Sequence, residues 1–198
     1  MNLALFDFDG TISSADSFLG FMRTVYRGRF LRCCALLSPR ICLFLLGFYS
    51  NDKIKECFLE RLFKGVPLEQ LRSSAERFNR ESLSATERPA AIKRIDQHRA
   101  AGDKIVVVSA TPRFILEQWC RDRRLDLIAT EVELDKKGRL TGRIDGKNCR
   151  GPEKVSRIRA AYDLKDFDEI YAYGDTVSDL PMLELAEEHL RFYRPFRA

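Results

Sequence analysis

The sequence predicts an α/β fold built on a parallel sheet and interrupted by an all-α insert. Three observations predict it. Short apolar runs at residues 3–6, 104–109 and 169–173 each lead into polar residues, the pattern of buried parallel strands. Helical periodicity separates the later runs, which implies right-handed crossovers. Between residues 15 and 85 the strand pattern stops and only helical segments follow one another.

The first run opens into Asp7-Phe8-Asp9-Gly10-Thr11, two carboxylates two positions apart and a residue that permits a sharp turn. Asp16 is placed to cap a helix carrying Phe18, Leu19, Phe21, Met22 and Val25, with Gly28 expected to interrupt it. Apolar segments follow at 30–37 and 41–49, the first expected to stop at Ser38-Pro39 because a residue before proline avoids the helical region. Asp52 starts a helix with Ile54, Cys57, Phe58, Leu62 and Phe63 on one stripe and Gly65 at its end, and a fifth helix covers about 67–83. The α/β pattern then resumes with a helix over 89–101 and the β-branched strand Lys104-Ile-Val-Val-Val-Ser109. A helix over 113–124, a short strand at 127–129 and a two-stranded ribbon within 130–145 come next. Pro152 sits in the first turn of another helix, residues 169–173 form a strand running into Gly174-Asp175, and a helix over 180–188 precedes a last strand at 190–193. The expected division is therefore 1–14 with 86–198 as the α/β core and 15–85 as the helical insert.

The composition of the 198 residues, 45% apolar and 32% charged, fits a folded globular chain and excludes a disordered one. The net charge of +5 is unevenly spread: no acidic residue lies between Asp16 and Asp52, where Arg23, Arg27, Arg29, Arg32 and Arg40 all fall. That segment suits an anionic surface or substrate. The apolar run 41–49 is too short for a bilayer span, which needs about 20 residues. It is expected to be a buried helix, with a membrane-surface segment as the alternative that its arginine flanks favour. Six scattered cysteines without a C-x-x-C pair and only two histidines argue against zinc and against a disulfide framework, hence for a reducing compartment. No signal peptide is read at the N-terminus, so the expected location is cytoplasmic, with peripheral contact at the inner membrane face through the insert as the alternative. The arginines alternate with apolar residues at helical spacing and no reader motif occurs, so nucleic acid is not an expected partner. The oligomeric state is not legible.

In a parallel sheet all strand ends share one edge, so Asp7, Asp9, Ser109 and Asp175 can converge, joined by Asp179 and by Lys154 at a helix start. Carboxylates with backbone oxygens suit a hard cation such as Mg²⁺, while a hydroxyl and an ammonium suit phosphoryl oxygens. That set describes a phosphoryl-transfer site. Cys149 stands near Lys154 but has no histidine nearby to activate it.

DFDGT at 7–11, VVVSAT at 106–111, Lys154 in GPEK and GDTVSD at 174–179 resemble, in order, the four motifs of the haloacid dehalogenase-like superfamily. With its helical insert after the first motif, the chain resembles the phosphoserine phosphatase-like branch, which implies a Rossmann-like core carrying an all-α cap. The resemblance implies a Mg²⁺-dependent phosphatase acting on a small phosphorylated substrate. Asp7 would be the nucleophile and Asp9 the general acid and base. Ser109, Ala110, Gly10, Thr11 and Lys154 would contact phosphate. Asp7, Asp9 (through its main chain) and Asp175 would be the metal set, with Asp179 a further ligand or a support behind it. Asp16 stands where phosphoserine phosphatase has a glutamate for the substrate amine, Arg61 is the candidate for the substrate carboxylate, and Ser109-Ala110-Thr111 replaces Ser-Gly-Gly. These departures argue against phosphoserine itself. The arginines and the apolar run also resemble those of bacterial phosphatidylglycerophosphate phosphatases, which implies a lipid phosphate as the alternative substrate. A phosphotransferase of the same superfamily is the other alternative.

Overall fold

A computed structural model describes residues 1–196; the last two residues of the expected core segment lie outside the described residues. Five parallel strands form one sheet in the order β3-β2-β1-β6-β7, where β1 is Leu3–Phe6, β2 Lys104–Pro112, β3 Asp126–Thr130, β6 Ile170–Gly174 and β7 Arg191–Tyr193. The chain builds outward from β1 on one side and then crosses to the other. The order therefore reverses between β1 and β6, and the crevice beyond their carboxyl ends is where such sheets bind ligands.

Strand β1 is wholly buried, and its alternation splits the core in two. Ala4 and Phe6 face one apolar layer with Val107, Ile105 and Tyr173. Leu3 and Leu5 face the other with Val106, Val108 and Ala172, closed by Ile158 of α7 (Pro152–Ala161) and Met182 and Leu183 of α8 (Leu180–Leu183). Helices α5 (Pro89–Ala100) and α6 (Arg113–Asp122) cover the first layer, and the insert shares that layer. Phe21 of α1 (Ser17–Val25), Phe63 of α3 (Asn51–Phe63) and Phe78 of α4 (Leu68–Phe78) meet Phe114 of α6 or each other edge-on or tilted, at 5.7–6.2 Å.

The structure departs from the sequence reading in five places, the first being the run 41–49, expected to be buried, of which Leu43, Leu45, Leu46 and Phe48 are exposed. Helix α2 runs unbroken from Arg27 to Leu45, through Pro39. Proline lacks the N–H that would satisfy the Ala35 carbonyl, and the Ser38 hydroxyl donates to it instead at 2.9 Å. The break between α1 and α2 falls at Tyr26, not Gly28, where the Tyr26 ring packs edge-on against Phe63. Beyond Phe78 the fifth predicted helix widens over Asn79–Leu83 into a π turn and then tightens. Helix α8 is a single turn, and a 3₁₀ turn at Glu188–Leu190 precedes β7.

The predicted ribbon is present as β4 (Val132–Leu134) paired antiparallel with β5 (Leu140–Ile144). It lies on α3. A Cβ on Gly142 would come 2.5 Å from the Glu60 Cα, so only glycine permits this approach. Main-chain hydrogen bonds stitch the end of α3 to the ribbon: Gly65 N–H to Leu140 O (2.8 Å), Leu140 N–H to Val66 O (3.0 Å) and Leu68 N–H to Gly138 O (3.0 Å).

Candidate functional site

Strand pairing places Asp7 and Asp175 side by side just beyond the ends of β1 and β6, and the Asp7 N–H donates to Tyr173 O at 2.9 Å. Ser109 lies in β2 on the other side of β1. Lys154, in the first turn of α7, reaches into this edge with only 1% of its surface exposed. Its ammonium donates to Asp7 Oδ1 and to Asp179 Oδ1, both at 2.7 Å. Burial works against the charge on Lys154, but the two carboxylates outweigh it and hold the pKa above the ordinary lysine value. Burial likewise works against Asp179, yet Lys154 and the Thr176 donors hold its pKa below the carboxylate norm. Asp7 has the same ammonium but is crowded by Asp179 and Asp9, and burial lifts its pKa to about 7.

Asp9 points the other way. Its Oδ1 accepts the Ser17 N–H and its Oδ2 the Thr111 hydroxyl, each at 2.7 Å, while the Ser17 hydroxyl donates to Thr111 Oγ1 at 3.0 Å. Burial and the nearby Asp16 charge raise its pKa to about 6 against these hydrogen bonds. Asp9 is therefore held by one residue of the insert and one of the sheet. Thr11 donates to Asp7 Oδ2 at 3.2 Å, leaving that oxygen lightly held.

The metal expectation can be tested on the donors. Both oxygens of Asp179 are engaged, Oδ1 by Lys154 and Oδ2 by the Asp175 and Thr176 N–H groups and the Thr176 hydroxyl. The Asp9 carboxylate is engaged as well. Asp7 and Asp175 are the side chains at the strand ends that the family pattern offers to a cation, and among the described residues no three His, Cys, Asp or Glu side chains converge on one point. Two carboxylates, a main-chain oxygen and water fit Mg²⁺, which keeps much of its hydration, and do not fit a metal that needs an all-protein cage. Gly10 makes the arrangement possible: at φ +87° it has no Cβ, and one would lie 2.5 Å from Asp175 Oδ2. The Gly10 N–H itself donates to Ser13 O (2.8 Å), so in this conformation its part is spatial.

A cavity of about 510 Å³ opens onto this edge, lined by Asp7, Asp9, Asp16, Ser109, Ala110 and Lys154 and walled by apolar side chains of the insert. Asp16 caps α1 through the Leu19 N–H (2.7 Å) and stands at the cavity wall, whereas Arg61 is exposed on α3. Cys149 is fully buried and its thiol pKa is pushed up by that burial, which suits an inert core thiol.

Sequence reasoning passed over Lys55. This buried lysine of α3 donates to Ala110 O (2.7 Å) and Asn148 Oδ1 (2.6 Å), fastening the insert to β2 beside Ser109 and to the segment before α7. The available signal was its register: Lys55 falls four and seven residues before the buried Leu59 and Leu62, on an otherwise apolar stripe. Desolvation lowers its pKa to about 8, opposed by Asp16, Asp52 and Asp9. The Thr130 hydroxyl also lies within hydrogen-bond distance of both acceptors. Lys55→Met removes the desolvation burden, and its stability relative to wild type is expected to be greater at pH 7 than at pH 9. With a folded pKa below the unfolded one, wild type sheds this burden as pH rises past about 8, so the gain shrinks there. Paired thermal melts at pH 7 and 9 check it; a gain that grows with pH contradicts the assignment.

A family model described as haloacid dehalogenase-like hydrolase matches residues 4–184. Protein CicA of Caulobacter vibrioides is 34% identical over 98% of this chain and 86% of its own length. A histidinol-phosphatase of Neisseria meningitidis is 26% identical over 94% of this chain and 88% of its own. A crystal structure of a Bordetella pertussis protein of unknown function superposes with a TM-score of 0.80 at 30% identity, covering 93% of this chain and 86% of that one. Solved phosphoserine phosphatases share the fold. With the strand order, the four motif segments at one sheet edge and this match across most of its length, the chain belongs to the haloacid dehalogenase-like hydrolases.

Proposed function

We propose that the chain is a Mg²⁺-dependent phosphatase that hydrolyses a phosphomonoester through an aspartyl-phosphate on Asp7. The observation that carries this reading is the Lys154 ammonium shared at 2.7 Å between Asp7 and Asp179 at the end of a cavity large enough for a phosphorylated substrate. Lys154 fixes Asp7 Oδ1 and leaves Oδ2 to attack phosphorus. As the Asp7–phosphorus bond forms, the bond to the leaving oxygen breaks, and Asp9 gives that oxygen its proton. Asp9 then takes a proton from water as the water oxygen attacks phosphorus, releasing inorganic phosphate and restoring the Asp7 carboxylate. Its raised pKa of about 6 suits both roles near neutrality. Asp7, Asp175 and the main-chain oxygen of Asp9 would hold Mg²⁺, which would neutralise phosphoryl charge, while Asp179 steadies Lys154 and the Asp175 backbone.

The relatives support the reaction class, since the Neisseria protein is named for phosphatase activity. The test is a Mg²⁺-dependent screen of phosphomonoesters, including histidinol phosphate, phosphoserine and phosphatidate, with free phosphate as readout. Phosphate passed to an added alcohol instead of water would make the chain a phosphotransferase. Asp9→Asn separates the proposed roles. It is expected to slow alkyl phosphates by about 10²- to 10⁴-fold, because their leaving oxygen needs the proton. The first step on p-nitrophenyl phosphate, whose leaving group departs as an anion, should lose much less. Equal loss on both in single-turnover measurements would remove Asp9 as the acid.

A further inference from the structure

We propose that the C-terminal end of α2 and the turn after it dock on an anionic lipid surface, and that the cavity takes the phosphate headgroup of an amphiphile whose tail remains along the apolar wall. The substrate half of this rests on the phosphatase reading above. Leu45, Leu46 and Phe48 are 76%, 69% and 79% exposed at the tip of α2, and Leu36 and Leu43 are exposed along the helix leading to it. Such a group of large apolar side chains on one protrusion marks an interaction surface. Leu45 belongs to the tip and also lines the cavity, where Ile41 and Phe44 join it, so the cavity that holds Asp7 and Lys154 has an apolar wall reaching the tip. A small polar metabolite has no use for that wall; an acyl or isoprenoid tail does.

Charge selects the occupant. Arg27, Arg29, Arg32 and Arg40 are exposed on the same helix, and the segment has no acidic residue between Asp16 and Asp52. Each arginine near an anionic leaflet contributes about 1 kcal/mol. A second copy of the chain would set these arginine rows against each other, which disfavours self-association through this face. No helix among the described residues is long and apolar enough to cross a membrane. With four arginines in nineteen residues, α2 lies on a leaflet and inserts only its tip.

The experiment is co-sedimentation of the full chain with phosphatidylcholine vesicles, with and without phosphatidylglycerol. Wild type is expected to bind only the anionic vesicles and to release them as salt rises. Leu46→Asp/Phe48→Asp and Arg29→Glu/Arg32→Glu are each expected to lower binding by about tenfold or more. Neither pair lines the cavity, so hydrolysis of soluble p-nitrophenyl phosphate should be unchanged. Phosphatidate in vesicles should be hydrolysed faster than glycerol 3-phosphate by wild type, and the tip variant should lose that preference. No vesicle binding, or binding indifferent to both variants, overturns the docking surface, as does a solution dimer that Leu46→Asp/Phe48→Asp splits. Equal rates on vesicle and soluble esters overturn the substrate half. If no ester is hydrolysed while vesicle binding persists, the phosphatase reading fails and the docking surface stands.

Discussion

Asp7→Asn is expected to lower Mg²⁺-dependent phosphate release by about 10⁴-fold or more, the loss seen when a covalent nucleophile is removed. The fold should survive. Asparagine has the same shape, its carbonyl oxygen can still accept from Lys154 at the Oδ1 position, and one of the crowded negative charges disappears. The melting temperature should therefore hold or rise while turnover vanishes. This combination separates a chemical role from a structural one, since a residue that mattered only for packing would lose both together. Turnover within about tenfold of wild type would place the nucleophile elsewhere.

Lys154→Met should show the opposite balance, with activity and stability falling together. The variant leaves the Asp7 and Asp179 carboxylates buried around a thioether with no cation between them. Removing one partner from a buried ionic cluster costs about 3–5 kcal/mol. The pH dependence has a definite sign. Without the ammonium, both carboxylates have folded pKa values above their unfolded ones, so protonation favours the folded variant and stability is lost as pH rises through those values. The melting temperature of Lys154→Met, measured against wild type, should therefore recover as pH is lowered from 8 to 5, as checked by calorimetry across that range. A deficit that deepens on acidification contradicts the assignment.

Much of the fold could be read from the sequence because the sheet is parallel and buried on both faces. Such strands are written as continuous apolar runs, and the residues that end them land on one edge by topology alone. Asp7, Ser109 and Asp175 needed no tertiary knowledge beyond that. What escaped depended on partners distant in sequence or on local repair. Pro39 signals a helix end unless Ser38 happens to satisfy Ala35, which a rule about proline does not weigh. Lys55 reads as a solvated lysine until Ala110 and Asn148, 55 and 93 positions away, are folded beneath it. Thr111 lay inside a noted motif, but its grip on Asp9 depends on the rotamer that folding selects. Asp179 reads as a cation ligand or a support behind one, and its hydrogen bonds to the Asp175 and Thr176 backbone emerge only once the chain is folded.

The main-chain stitching between the end of α3 and the β4–β5 ribbon bears on traffic through the enzyme. An insert free to swing would admit substrate from the side and shut over it. Here a swing would break the three bonds between residues 65–68 and 138–140 and pull Glu60 off Gly142. With the insert held in this way, the cavity keeps the wall it has here, from Asp7 and Lys154 out to Leu45 near the tip of α2.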